Sequence, residues 1–211
     1  MEKAVKHILI VEDQLMPQRL FELYVEQEPE FRLVRSIENA DLAELICAQN
    51  QVDLILMDVC TAMGASGLEA AARIKKKYPR IRIVIVTSMP EHSFLEKARS
   101  AGADSFWYKE SAEMPILEVM KRTLAGESVY PDRVPEVQIG LAASGEFTPR
   151  ELEILRLLME GLTTRESGAE LGISEGNVTQ RVKELLSKTG FRTRTGLAVA
   201  VQKSGLILPD Y

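Results

Sequence analysis

The sequence predicts an α/β protein of the doubly wound class followed by a small all-helical domain. Three observations carry this expectation. Short apolar runs alternate with stretches of helical spacing over residues 7–125, an aperiodic acidic stretch with Gly and Pro follows, and from Phe147 onward the texture is helical only.

The apolar, β-branched runs lie at 7–11, 31–36, 53–57, 81–86 and 104–108. Each has the length of a strand buried on both faces, as a parallel sheet requires. Between them Leu20, Phe21, Tyr24 and Val25 form one helical stripe; Phe94, Leu95, Ala98 and Ala101 form a second; Ile116, Leu117, Met120 and Leu124 form a third. Tyr78-Pro79 and Ala101-Gly102-Ala103 supply stop signals. Five strands alternating with five helices imply a parallel sheet covered on both faces.

The third run, Val52-Asp53-Leu54-Ile55-Leu56-Met57, ends abruptly in Asp58. An aspartate closing an apolar run is commonly a cap or turn residue, but here the other strand ends carry matching chemistry. The first ends in Glu12-Asp13, the fourth in Thr87-Ser88 and the fifth in Lys109. In a parallel sheet these termini share the carboxyl edge, where open α/β sheets place their ligands. Three clustered carboxylates repel one another unless a cation neutralises them. An oxygen-only set without His or Cys suits a hard ion, Mg²⁺ or Mn²⁺.

Composition narrows the class. The 211 residues are 45% hydrophobic and 27% charged, ordinary for a globular protein with an ample core. Two cysteines, Cys47 and Cys60, are too few and unpatterned for a disulfide framework or a zinc site. No apolar run approaches membrane-spanning length, and Glu12-Asp13 interrupts the N-terminal stretch too early for a signal peptide. The expectation is a cytoplasmic protein with reduced thiols and no membrane partner. The net charge of −5 is unevenly spread: residues 1–123 carry −3, 124–146 carry −3 and 147–211 carry +1. Within 172–204 six basic residues face only Glu175 and Glu184, a local stripe suited to a polyanion.

Residues 124–146, with Gly126, Pro131, Pro135, Gly140 and Gly145, read as a linker between domains at 1–123 and 147–211. Thr148-Pro149-Arg150-Glu151 then combines a capping box with a first-turn proline, ahead of an apolar stripe at Leu152, Leu155 and Met159. Thr163-Thr164-Arg165-Glu166 is a second capping box, opening a helix that stops at Leu171-Gly172. A third helix starts at Ile173-Ser174 and buries Val178, Val182, Leu185 and Leu186, and a fourth follows over 195–203. A short helix, a glycine-containing turn and a longer helix with exposed basic residues describe a helix-turn-helix.

Two resemblances follow from these residues. Val11-Glu12-Asp13, Leu56-Met57-Asp58, Val86-Thr87-Ser88 and Phe106-Trp107-Tyr108-Lys109-Glu110 resemble, in order and spacing, the signature positions of a two-component receiver domain with a flavodoxin-like fold. The resemblance implies that Asp58 accepts a phosphoryl group from a sensor histidine kinase. It implies that Glu12, Asp13, Asp58 and the backbone carbonyl of Cys60 hold Mg²⁺ and that Lys109 pairs with the acylphosphate. Thr87 and Phe106 take the place of the switch pair. The stretch from Phe147 to Leu162, with Leu171-Gly-Ile-Ser-Glu-Gly-Asn-Val, resembles the LuxR-type DNA-binding domain of NarL/FixJ response regulators. That makes 174–188 the recognition helix. Thr179, Gln180 and Lys183 flank the buried valines and face outward to base edges or phosphates, Gln suiting adenine and Lys guanine or phosphate. Arg181, Lys188, Arg192 and Arg194 then neutralise backbone phosphates.

The sequence departs from both patterns. After Asp58 the usual Met-Pro is absent, and Gly67 lies one position later than the family's glycine, predicting a longer and conformationally freer loop over 59–66. Thr179-Gln180-Arg181 replaces Lys-x-His, and Ser167-Gly168 replaces the Ile-Ala that the second helix normally offers to the core. The expected function is a DNA-binding regulator, not an enzyme, in which phosphorylation of Asp58 controls homodimerisation and transcription. The altered loop keeps a phosphorylation-independent dimeric regulator as the alternative. An aspartyl-phosphate hydrolase is disfavoured, because Cys60 stands where a second aspartate belongs.

Overall fold

The computed structural model describes residues 4–91, 93–109 and 114–207, and they divide into two compact units, one of 4–88 and 93–133 and one of 89–91 and 134–207. In the first unit the chain runs β1 (Lys6–Val11), α1 (Leu15–Gln27), β2 (Phe31–Ile37), α2 (Ala43–Gln49), β3 (Leu54–Asp58) and α3 (Gly67–Lys77). It continues through β4 (Arg82–Thr87), α4 (Ser93–Ser100), β5 (Ser105–Tyr108) and α5 (Ile116–Leu124). The strands pair in parallel in the order β2-β1-β3-β4-β5, so the chain reverses direction across the sheet between β1 and β3. That reversal opens the crevice in which doubly wound sheets bind ligands.

The five runs expected from the sequence are these five strands, with ends displaced by one residue. Their lack of alternation has its physical reason in burial on both faces: every residue of β3 is buried. One face carries Ile8, Ile10, Leu54, Leu56, Val84 and Val86 against Phe21 and Val25 of α1 and Ile116, Val119 and Met120 of α5. On the other, Ile55, Met57, Ile83 and Ile85 are fully buried and α3 packs over β3 and β4. Leu20, placed in the apolar stripe of α1 by its spacing, is 44% exposed; the stripe narrows to Phe21 and Val25.

The second unit holds a short antiparallel hairpin, β6 (Gln138–Ile139) with β7 (Ala142–Ala143), then α6 (Pro149–Met159), α7 (Thr164–Leu171), α8 (Glu175–Thr189) and α9 (Arg194–Ser204). Both expected capping boxes form, Thr148 with Glu151 and Thr163 with Glu166, and Gly172 closes α7 in the left-handed conformation. The helices meet over Ile154, Leu155, Leu158, Val178, Val182, Leu185, Leu197 and Val201.

The stretch 124–146, read as a linker, is ordered in two places. After α5 the Phe106 N–H donates to the Val129 carbonyl at 2.8 Å and the Tyr130 hydroxyl to the Ala103 carbonyl at 2.9 Å, so this segment follows β5. Ile139 and Ala142 of the hairpin are buried in the helical core.

Candidate functional site

Glu12 follows β1, Asp58 ends β3, Thr87 ends β4 and Lys109 follows β5, so the strand register alone brings them to one edge. Carboxylate oxygens of Glu12, Asp13 and Asp58 all lie within 4.8 Å of one another. Glu12 and Asp58 are buried and Asp13 is exposed. The Lys109 ammonium donates to Asp58 Oδ2 at 3.0 Å and lies 2.5 Å from Glu12 Oε2. Its backbone N–H donates to the Thr87 carbonyl at 2.8 Å, which fixes the loop after β5 to the end of β4.

One ammonium cannot balance three carboxylates. Burial pushes the Asp58 carboxyl up to about 7, Glu12 adds to the rise, and Lys109 and the Val59 N–H oppose it. Glu12 Oε1 accepts the Gln14 N–H, but the buried Oε2 has no hydrogen bond of acceptable geometry, only the neighbouring ammonium charge. Three carboxylates that share one ammonium, in an all-oxygen set, fit a hard divalent cation.

The loop after Asp58 departs from its expectation. Instead of gaining freedom, 59–66 folds into a tied hairpin. Cys60 pairs with Ser66 in an antiparallel bridge whose two bonds accept on the Val59 and Ala65 carbonyls, not on that of Cys60. The Ala62 N–H donates to the Glu38 carbonyl at 2.9 Å, the Ala40 N–H to Thr61 Oγ1 at 3.0 Å and the Asn39 amide to the Ala62 carbonyl at 3.0 Å. The extra residue is absorbed at the tip, where Met63 takes a φ of +63° and is 96% exposed. Gly67 then re-enters so closely that a Cβ would lie 1.8 Å from the Asp58 carbonyl oxygen.

Thr87 and Phe106, the expected switch pair, are both buried, and the Phe106 ring lies edge-on to Tyr108 with centroids 5.0 Å apart. Glu110, the last residue of that motif, lies outside the described residues. Tyr108 was not singled out by sequence; as the last residue of an aromatic run it reads as ordinary core.

In the second unit, α7 and α8 form the expected helix-turn-helix. A Cβ on Gly168 would meet the Ile173 carbonyl oxygen at 2.8 Å, so the close turn, not helix propensity, explains that glycine. Ser167 beside it is buried with an unpartnered hydroxyl. On α8, Gln180, Arg181 and Lys183 are exposed and Thr179 is half-buried; Gln180 donates to Glu184 at 3.0 Å. Arg192 is exposed as well. Lys188 and Arg194 are differently placed. The Lys188 ammonium bonds the Glu146 carbonyl at 2.7 Å and both oxygens of Glu151, and Arg194 donates to the Leu162 carbonyl. Exposed Asn177, three residues before Gln180 on the same face, joins this surface; its i, i+3 spacing was the available signal.

Comparison with known proteins places both units in known families. The response regulator receiver domain family matches residues 8–121, and the luxR family of bacterial regulatory proteins matches 146–201. The transcriptional regulatory protein YdfI of Bacillus subtilis is 26% identical over 211 residues, covering 96% of this chain and 98% of its own. The response regulator protein VraR of Staphylococcus aureus is 29% identical, over 95% and 98%. Among solved structures, RcsB of Salmonella enterica serovar Typhimurium, bound to promoter P1flhDC in the presence of BeF3−, superposes with a TM-score of 0.62. It is 17% identical, over 93% of this chain and 97% of that one, a likeness of fold. The chain belongs to the response regulator receiver family and carries a C-terminal luxR-family domain. It is a DNA-binding response regulator of the LuxR family, and its relatives are transcription regulators. No helix among the described residues is long and apolar enough to cross a membrane.

Proposed function

We propose that Asp58 is the phosphoacceptor of a sensor histidine kinase and that its phosphorylation controls homodimerisation and transcription. The observation that carries this reading is the buried Asp58 carboxylate held 3.0 Å from Lys109 amid Glu12 and Asp13 at the sheet's carboxyl edge. An Asp58 oxygen attacks the phosphorus of the donor phosphohistidine, the P–N bond breaks, and an acylphosphate forms as the histidine leaves. Phosphoryl transfer needs positioning and charge neutralisation more than acid–base groups. Lys109 neutralises the acylphosphate, and Thr87 donates its hydroxyl to a phosphoryl oxygen while Phe106 follows it. Glu12, Asp13, Asp58 and the Cys60 carbonyl hold Mg²⁺ or Mn²⁺, which when bound offsets the charge of the incoming phosphoryl group.

The receiver spans 1–123, the linker 124–146 and the DNA-binding domain 147–211, in a cytoplasmic protein. On double-stranded DNA, Thr179, Gln180 and Lys183 reach base edges or phosphates, and Arg181 and Arg192 neutralise phosphates. Lys188 and Arg194 contribute by holding α8 and α9 in place, and reach phosphate only by giving up their internal bonds. Two half-sites demand a two-fold dimer. Acetyl phosphate with Mg²⁺ is expected to add one phosphoryl group to the wild-type chain and none to Asp58→Asn, by intact mass. A wild type that stays unlabelled by both this donor and a cognate kinase contradicts the reading.

A further inference from the structure

Within 172–204, six basic residues are accompanied by only two acids, Glu175 and Glu184. An acid on a face that meets phosphate weakens binding to every DNA sequence alike. Glu175 accepts the Thr164 hydroxyl at 3.0 Å and so ties the start of α8 to α7. Glu184 has a different partner. Its Oε1 accepts from Gln180 Nε2 at 3.0 Å, one turn earlier on α8, and both residues are exposed. A carboxylate can only accept, so it holds the nitrogen of the Gln180 amide toward itself. The amide oxygen is then turned away from Glu184, and the second amide proton stays free. Gln180 belongs to the Thr179-Gln180-Arg181 stretch that departs from the family's pattern.

We propose that Glu184 is a positioning residue for base recognition, fixing the Gln180 amide so that it reads adenine and rejects guanine. This rests on the reading above that Gln180 reaches a base edge. Adenine offers N7 as acceptor and N6 as donor, which match the free amide proton and the amide oxygen. Guanine offers two acceptors, N7 and O6. To serve guanine with both amide protons, Gln180 must flip, and its oxygen then faces the Glu184 carboxylate, acceptor against acceptor. In a groove from which water is displaced, the lost bond is not replaced. Glu184 thus lowers affinity for DNA at large and adds a preference at one base.

The test uses the full chain with acetyl phosphate and Mg²⁺ throughout. Selection from a random-sequence duplex pool finds the base position whose preference Gln180→Ala abolishes. Competition between duplexes carrying adenine or guanine there then gives a ratio for each variant. Glu184→Ala is expected to bind both duplexes more tightly, having lost a negative charge, while its adenine-to-guanine ratio falls about fivefold or more. In a Gln180→Ala background the same change is expected to leave the ratio where it is. A Glu184 that acts only through its charge, or only on the helix, would shift affinity for both duplexes equally. An unchanged ratio therefore overturns the proposal, as does a ratio that moves in the Gln180→Ala background, or a wild type that does not prefer adenine there. If Gln180→Ala alters the preference at no position, the base-edge reading of Gln180 itself fails, and Glu184's role with it.

Discussion

Asp58 sits where burial and Glu12 push its carboxyl up to about 7, from an ordinary 3.8, in the metal-free protein. The folded state therefore holds a proton that the unfolded chain has released between those values. The group's contribution to stability is fully present below about pH 4 and is lost as pH rises through 7. Asp58→Asn is expected to be more stable than metal-free wild type at pH 8 and to lose that advantage near pH 4, by urea denaturation. Added Mg²⁺ should close the gap at pH 8 by stabilising only the wild type. Ser167 supplies a simpler case in the other unit. Its hydroxyl is buried without a partner, so Ser167→Ala removes a desolvation cost and is expected to raise stability by about 1 kcal/mol. No helix periodicity could have announced either effect, since both come from which atoms find partners in space.

Elements were legible where their signal is local and repeats. The five strands show as apolar runs because both faces are buried, and α6 and α7 announce themselves through Thr148–Glu151 and Thr163–Glu166. The β6–β7 hairpin was not legible, because two-residue strands are too short to show a period. The loop after Asp58 was misread as freer for a related reason. Its glycine is visible in the sequence, but the bonds that tie it come from Glu38, Asn39 and Ala40 on a distant segment. Lys188 misleads similarly: its charge suggests DNA, while Glu151 from the capping box of α6 holds it. Burial pushes the Glu151 carboxyl up, but the Thr148 N–H, Lys188 and the Thr148 hydroxyl outweigh it and set it below its ordinary 4.5. The stability this provides is present above about pH 4.5 and is lost as pH falls below it. Glu151→Gln is expected to cost about 1 kcal/mol at pH 7 and little at pH 3, by thermal unfolding.

At the scale of the whole molecule, one unit offers a carboxylate site suited to a phosphoryl group, and the other offers a helix-turn-helix with Gln180, Arg181 and Lys183 exposed on α8. The convergence of Glu12, Asp58, Thr87 and Lys109 on one edge was legible, since the parallel sheet dictates that its strand ends converge. Their individual states were not, because the charge balance among Glu12, Asp58 and Lys109 depends on burial. The proposed link between the units is an equilibrium that phosphate on Asp58 biases and dimerisation on DNA reads out. The most direct measurement is genome-wide DNA capture by the full chain and by Asp58→Asn, each with and without acetyl phosphate and Mg²⁺. Sites enriched by wild type only when the donor is present, and by Asp58→Asn in neither condition, are the predicted result. The same sites enriched by both proteins, regardless of donor, would contradict phosphorylation control.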